Sequence, residues 1–369
     1  MTHQKTPRRV PPATVTFRGG ISHPDLWLWD CWTEWHGECL HLYCLSVSRI
    51  NKSGEPIHPH ERNDYPFEIR HFVSDTHGES WTDKGALLAP GTAADGSDMR
   101  NVWSGSVLRR SSGQWLFGYT GIRDAGPDRN FLQTICLATG PDSSTVGQSV
   151  DEALSCPLRD YDDIIAAGYY LGPKARLGEN DGEEGGPILA WRDPFVFQHP
   201  SGGWHIIWSA KVGPKTPAVA HATLIEKDGN FQIDKLLPPL TLPDADALTQ
   251  AEVPRLYHDA KRDLYYLLIS ACNRLYEGQP DDEVSKLHRL YKSTSIDGPW
   301  LAYCGEGSLL PELPDLFGAS LVSADFDTGD FGFLAPYTEM ARPDLRLTFA
   351  PIKLLNIYKA RSDAVKSQA

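Results

Sequence analysis

Hydrophobic positions along this chain fall in short runs rich in aromatic and β-branched residues, set apart by clusters of Gly, Pro, Asn, Asp and Ser. Residues 40–47 and 67–73 are two such runs, with Asn51-Lys52-Ser53-Gly54 between them. The pattern recurs at 102–109, 114–119, 132–138, 195–198, 204–208, 255–257, 264–270, 287–292, 332–334 and 354–358. Each run predicts a strand. Turns such as Arg110-Ser111-Ser112-Gly113 and His199-Pro200-Ser201-Gly202-Gly203 lead from a strand into an aromatic-rich strand, so hairpins are expected along the whole length. No amphipathic helix of useful length interrupts them. An all-β array follows, and sheets of four strands repeated around an axis are its natural arrangement, although the repeat is too weak to count blades from periodicity. The acidic stretches 141–186 and 279–284 predict surface loops, the first with a helical turn near Asp162-Asp163-Ile164-Ile165.

Composition narrows this picture. With 369 residues, 41% of them hydrophobic and 22% charged, the chain can bury a large core. Residues 1–20, polar and rich in Pro, Thr and Arg, are expected to be a flexible arm, 21–360 a single domain and 361–369 a tail. A net charge of -13 and a pI near 5.4 count against a nucleic-acid or anionic-membrane partner and suit a neutral ligand such as a carbohydrate. The seven cysteines are scattered without a Cys-x-x-Cys, which signals neither a zinc module nor a disulfide framework. Lys5, Arg8 and Arg9 precede no apolar segment of a leader, and no apolar run is long enough to span a bilayer. A cytoplasmic protein with reduced thiols is the expectation. Histidines crowd the first eighty or so positions but form no helical ligand pair, so neither metal nor cofactor is expected. Asp75-Thr76-His77-Gly78-Glu79-Ser80-Trp81 reads as a structural turn of the Asp-box kind.

Against this background three carboxylates stand out. Asp30 lies between two indoles in Trp29-Asp30-Cys31-Trp32, Asp193 follows Arg192 and precedes Pro194, and Glu252 lies in Gln250-Ala251-Glu252-Val253-Pro254-Arg255. Each borders a strand-like run. Any one of them alone is more simply a turn or cap residue. Together they match the needs of retaining glycoside cleavage, in which one carboxylate attacks the anomeric carbon and a second, about 5 Å away, protonates the leaving oxygen. Indoles offer a face to the apolar patch of a sugar ring, and Arg192 can hold Asp193 ionised. Cys31, beside Asp30, is expected to be a small buried filler.

These segments resemble family 68 of the glycoside hydrolases, the levansucrase, inulosucrase and β-fructofuranosidase family. Trp29-Asp30-Cys31-Trp32 is similar to its Trp-Asp-x-Trp motif, Trp103-Ser104-Gly105-Ser106 to its Trp-Ser-Gly-Ser and Arg192-Asp193-Pro194 to its Arg-Asp-Pro. Gln250-Ala251-Glu252 stands where members carry Gln-Thr-Glu or Glu-Ile-Glu, with Val253 in place of the following Arg, and the likeness runs in order from about Leu26 to Tyr358. The resemblance implies a five-bladed β-propeller with a central funnel-shaped pocket that takes sucrose or a related β-fructoside. It implies Asp30 as nucleophile, Asp193 as transition-state stabiliser and Glu252 as general acid/base, without a metal. Trp29, Trp103, Ser104, Arg192 and Gln250 would line the fructosyl subsite. Asn273 would bind substrate from Ser270-Ala271-Cys272-Asn273-Arg274, which departs from the family's Ser-Thr-Arg or Ser-Thr-His where acceptor choice is made, and Phe317 stands where a Tyr is frequent. A propeller glycosidase of another family, acting on fructans or arabinosides, and a silent sugar-binding propeller are the alternatives.

Overall fold

The computed structural model describes residues 15–147, 152–179, 187–276, 278–303 and 313–359. It is a five-bladed β-propeller, assembled in chain order. The first blade holds β1 (Thr16–Arg18), β2 (Leu26–His36), β3 (Cys39–Ser48), β4 (Glu68–Ser74) and β5 (Ser80–Leu88) in the order β1-β5-β4-β3-β2. The second is β6 (Asn101–Arg109), β7 (Trp115–Arg123) and β8 (Leu132–Gly140), followed by the short helix α1 (Tyr161–Ala166). The third runs from β9 (Arg192–Gln198) through β10 (Trp204–Gly213) and β11 (Thr216–Lys227) to β12 (Asn230–Leu236). The fourth comprises β13 (Gln250–Asp259), β14 (Leu264–Cys272), β15 (Lys286–Ser293) and β16 (Leu301–Ala302), and the fifth β17 (Ser320–Asp325), β18 (Asp330–Leu334) and β19 (Lys353–Asn356). Every strand pairing is antiparallel, as hairpin connections require.

The core lies between blades and not within any one of them. Tyr43 and Phe67 meet Val102 and Tyr119 at the first junction, and Leu116 and Ile135 meet Trp191 and Trp208 at the second. Ile207 and Val219 pack on Leu267 and Ile269, then Tyr266 and Leu268 on Phe331 and Phe333. Leu28, Leu40, Phe72 and Trp81 join Val322, Leu334 and Phe349, which completes the ring. Burying one such side chain is worth about 1.5–3 kcal/mol, so each junction is a substantial adhesive surface. Backbone bonds close the circle: Ile21 and Phe349 exchange N–H···O contacts of 3.1 and 2.9 Å, and Leu28 donates to the Leu347 carbonyl at 2.9 Å.

The strands read from sequence are present, and most extend further than their apolar runs. Four others carry weaker signals. β11 is rich in Ala, which strands disfavour, and owes its conformation to pairing with β10 and β12. β5 mixes Asp, Lys and Gly with its apolar positions, while β12 and β17 are short and half polar. The stretch 75–81 is the turn into β5, where Ser74 Oγ accepts from the Gly78 N–H at 2.7 Å and Trp81 is fully buried. The expected helical turn is α1, with Ile164 as its buried residue, and 281–283 form a 3-10 turn. Residues 16–18, read from sequence as part of the arm, pair with β5 at the outer edge of the first blade. The rest of the arm to residue 14, the tail 361–369 and the loop segments 148–151 and 180–186 lie outside the described residues.

The innermost strands β2, β6, β9, β13 and β17 share a defect in register. Each is bulged against its neighbour, at Asp30, at Ser104, at Asp193-Pro194, at Val253-Pro254 and at Val322. A bulge places extra residues opposite the partner strand and re-aims a side chain that the pleat would otherwise bury in the sheet.

Candidate active site

Four of those bulges surround one cavity of about 770 Å³ at the convergence of the inner strands. Asp30, Asp193 and Glu252 all line it, together with Trp29, Trp103 and Arg192. The backbone at these acids is unusual. Asp30 has φ +36°, Asp193 φ +62° and Val253, next to Glu252, φ +42°. Left-handed backbone at a non-glycine residue costs of order 1–3 kcal/mol, most for a β-branched one, and persists only where surrounding structure enforces it. Here the enforcing structure is visible. Thr120 Oγ1 accepts from the Asp193 N–H at 2.7 Å, and Asp193 Oδ2 accepts from the Val253 N–H at 3.0 Å, which ties the third blade's bulge to the fourth's.

Asp30 is gripped from behind. Ser104 Oγ donates to its Oδ2 at 2.5 Å. Burial pushes the Asp30 carboxyl above its ordinary range; the Ser104 hydrogen bond opposes the rise, the Glu252 charge adds to it, and Arg62 and Arg255 oppose it. Gly318, with φ +70°, presses on the same carboxylate, for a Cβ there would lie 2.6 Å from Asp30 Oδ1 and 3.0 Å from its Cα. Arg255 is fully buried beneath the acids and donates from Nη2 to the Cys31 carbonyl at 3.1 Å, joining the fourth blade to the first. Cys31 itself is buried, with Sγ against the carbonyls of Gly318 and Leu334.

Asp193 is pushed up to about 7, by burial first and by the charges of Asp30 and Glu252, against the pull of Arg192 and the Val253 N–H. Arg192 Nε lies 3.7 Å from Asp193 Oδ2 while its Nη2 lies 3.1 Å from Glu252 Oε1, so one guanidinium bridges two of the acids. Gln250 does not line the cavity. It is buried behind Arg192, accepting from Nη2 at 3.1 Å, and therefore positions that guanidinium. Ser104 likewise acts from behind the wall. Asn273 points away from the site: its amide donates to the Glu283 carbonyl at 3.0 Å and its Oδ1 accepts from the Ser285 N–H at 2.7 Å, pinning a loop.

One wall is aromatic. Phe67 stands edge-on to Trp29 at 4.7 Å and stacks with Trp103 at 6.0 Å, and Phe131 closes the group at 5.2 Å from Trp103. Such a surface takes the apolar face of a sugar ring while the acids address its hydroxyls. The cavity wall also holds groups that the sequence patterns did not single out. Lys286 donates to Glu339 Oε1 at 2.6 Å, Arg62 approaches the same atom at 3.6 Å, and Lys286 Nζ lies 5.3 Å from the ring centre of Phe317. Nothing local in the sequence links residues 62, 286 and 339; only ring closure brings them together.

No protein-family model and no curated protein matches this sequence. Solved structures do match. Bacillus subtilis levansucrase is 15% identical, with a TM-score of 0.59 over 90% of this chain and 84% of its own. A levansucrase variant complexed with sucrose is 14% identical, with a TM-score of 0.60 and the same coverage. A single-residue variant of B. megaterium levansucrase is 13% identical, with a TM-score of 0.61 over 90% of this chain and 83% of its own. Blade count, blade order and near-complete coverage on both sides thus give this chain the fold of the levansucrases.

Proposed function

We propose that the protein is a retaining β-fructosyl enzyme that cleaves sucrose or a related β-fructoside and passes the fructosyl unit to water or a small sugar acceptor. The observation that carries this reading is the convergence of Asp30, Asp193 and Glu252, from three different blades, on one cavity with an indole wall. In the first step a carboxylate oxygen of Asp30 attacks the anomeric carbon as the bond to the leaving oxygen breaks. Glu252 gives that oxygen its proton. In the second step Glu252 removes a proton from the incoming water or hydroxyl, whose oxygen displaces Asp30 from the fructosyl ester. Asp193 accepts hydrogen bonds from ring hydroxyls while positive charge grows at the anomeric carbon.

The groups around the acids suit these roles. Asp30 must be ionised to attack, and Ser104, Arg62 and Arg255 all favour its charged form. Glu252 keeps about a quarter of its side chain exposed, which lets it meet water in the second step. The fold likeness, and the sucrose bound in one of the neighbouring structures, point the same way. A sugar-binding propeller without activity has no use for three mutually repelling acids, two of them on left-handed backbone.

Incubation with concentrated sucrose, with released glucose and free fructose followed separately, tests the proposal. Equal release identifies a hydrolase, and glucose in excess identifies transfer. Asp30→Ala and Glu252→Ala should each lose at least about a thousandfold in turnover while keeping the folded spectrum of the parent, because chemistry and not packing is removed. Turnover near that of the parent in either variant removes its residue from the mechanism.

A further inference from the structure

The cations of the cavity wall are unevenly matched. Arg274 is answered by Asp281 at 2.6 Å, Arg100 by Asp124 at 2.8 Å and Arg192 by the catalytic acids. Arg62 and Lys286, in contrast, share the single carboxylate of Glu339. Burial alone would raise the Glu339 carboxyl, but Lys286 and Arg62 hold it well below the ordinary range, so the triad keeps one surplus positive charge. All three side chains are about 85% buried and all three line the cavity. The Nε of Arg62 is buried without a hydrogen-bond partner among the described residues. Partly desolvated positive charge of this kind attracts an anion far more strongly than an exposed lysine does.

The triad also has a definite place relative to the chemistry. Arg62 sits 5.6 Å from the ring centre of Trp29 and acts electrostatically on Asp30. Lys286 is paired across the sheet with Cys272, whose Sγ is 3.9 Å from Glu252 Oε1. The triad therefore acts on the nucleophile at its Arg62 end and on Cys272, the neighbour of the group that protonates the leaving oxygen, at its Lys286 end. We propose that Arg62, Glu339 and Lys286 form an anion subsite for the leaving group, so that the favoured β-fructoside carries a phosphate or carboxylate on its departing sugar. This inference rests on the fructosyl-transfer reading for the term leaving group, but the subsite is a property of the cavity.

The test is therefore a binding measurement kept separate from turnover. Calorimetry compares glucose, glucose 6-phosphate and glucuronate on the full chain, and sucrose turnover is recorded on the same preparation. One or both anions should bind at least tenfold tighter than glucose, and which of them does so identifies phosphate or carboxylate. The preference should fall towards unity in Lys286→Gln and in Arg62→Gln, and in the parent it should weaken as salt rises from 50 to 500 mM while glucose affinity stays level. Equal affinity for glucose and both anions in the parent overturns the proposal, as does a preference that survives both substitutions and high salt. If anion preference holds while no fructoside is cleaved, the fructosyl reading fails and the subsite stands; if sucrose is cleaved with no anion preference, only the subsite falls.

Discussion

At the scale of residues, the site is a contest between burial and hydrogen bonding. Asp30 is drawn upward by burial and held back chiefly by the Ser104 hydroxyl. Ser104→Ala should therefore move the acidic limb of the kcat/KM profile to higher pH and cut turnover at pH 6 by about tenfold or more, an effect that a loss of packing would not produce. Asp193 rises from 3.8 to about 7 on folding. Between those values the folded protein holds a proton that the unfolded chain has released, so the contribution of this group to stability is complete below about pH 4 and is lost as pH rises to 7. Asp193→Asn, inactive by the roles above, should gain on the parent across that window by on the order of 2 kcal/mol, about half of what the full shift converts to at 1.4 kcal/mol per unit. Urea titrations at pH 4.5 and 7.5 measure the difference, and a gap that does not change with pH would refute the burial account. Gly318→Ala, which drives a Cβ against Asp30, should lose about a hundredfold in turnover. The acids and Arg192 could be found in the sequence because their neighbours form short local motifs. Gln250 and Ser104 can be named from sequence but not placed behind the wall, because one register position decides which side a strand residue serves, and Asn273, expected to bind substrate, braces a loop just past the end of β14.

At the scale of elements, the recurring device is the bulged inner strand. A regular strand would alternate Trp29, Asp30 and Cys31 between faces; the bulge places Asp30 at the cavity while Cys31 packs against the fifth blade. β6 shows how tightly such a device is built. A Cβ at Gly105 would come within 1.9 Å of the Gly118 carbonyl on β7, so the strand carrying Trp103 and Ser104 can lie where it does only with glycine there. Gly105→Ala should cost at least about 3 kcal/mol in urea unfolding and should raise the acidic limb as Ser104→Ala does, since both displace the same hydroxyl. Bulges leave almost no trace in hydrophobic alternation, which is why the strands were legible and their defects were not. β11 was missed for the converse reason: its Ala-rich sequence states no preference, and its neighbours supply the conformation.

At the scale of the whole molecule, five interblade cores and a seam between residues 21–28 and 347–349 make one closed ring. Closure assembles the site, for the acids come from blades one, three and four and the electrostatic partners of Asp30 from residues as distant in sequence as Arg62 and Arg255. The number of blades was legible only through resemblance, because junctions are built from scattered aromatic and aliphatic positions with no fixed period. The claim at the centre of this account is that Asp30 and Glu252 act together through a covalent fructosyl intermediate, and the anomeric configuration of a trapped product tests it most directly. With sucrose as donor and methanol as acceptor, NMR of the methyl fructoside should show the β-anomer alone, since two displacements restore the original configuration. The α-anomer would mean a single displacement and contradict the role of Asp30.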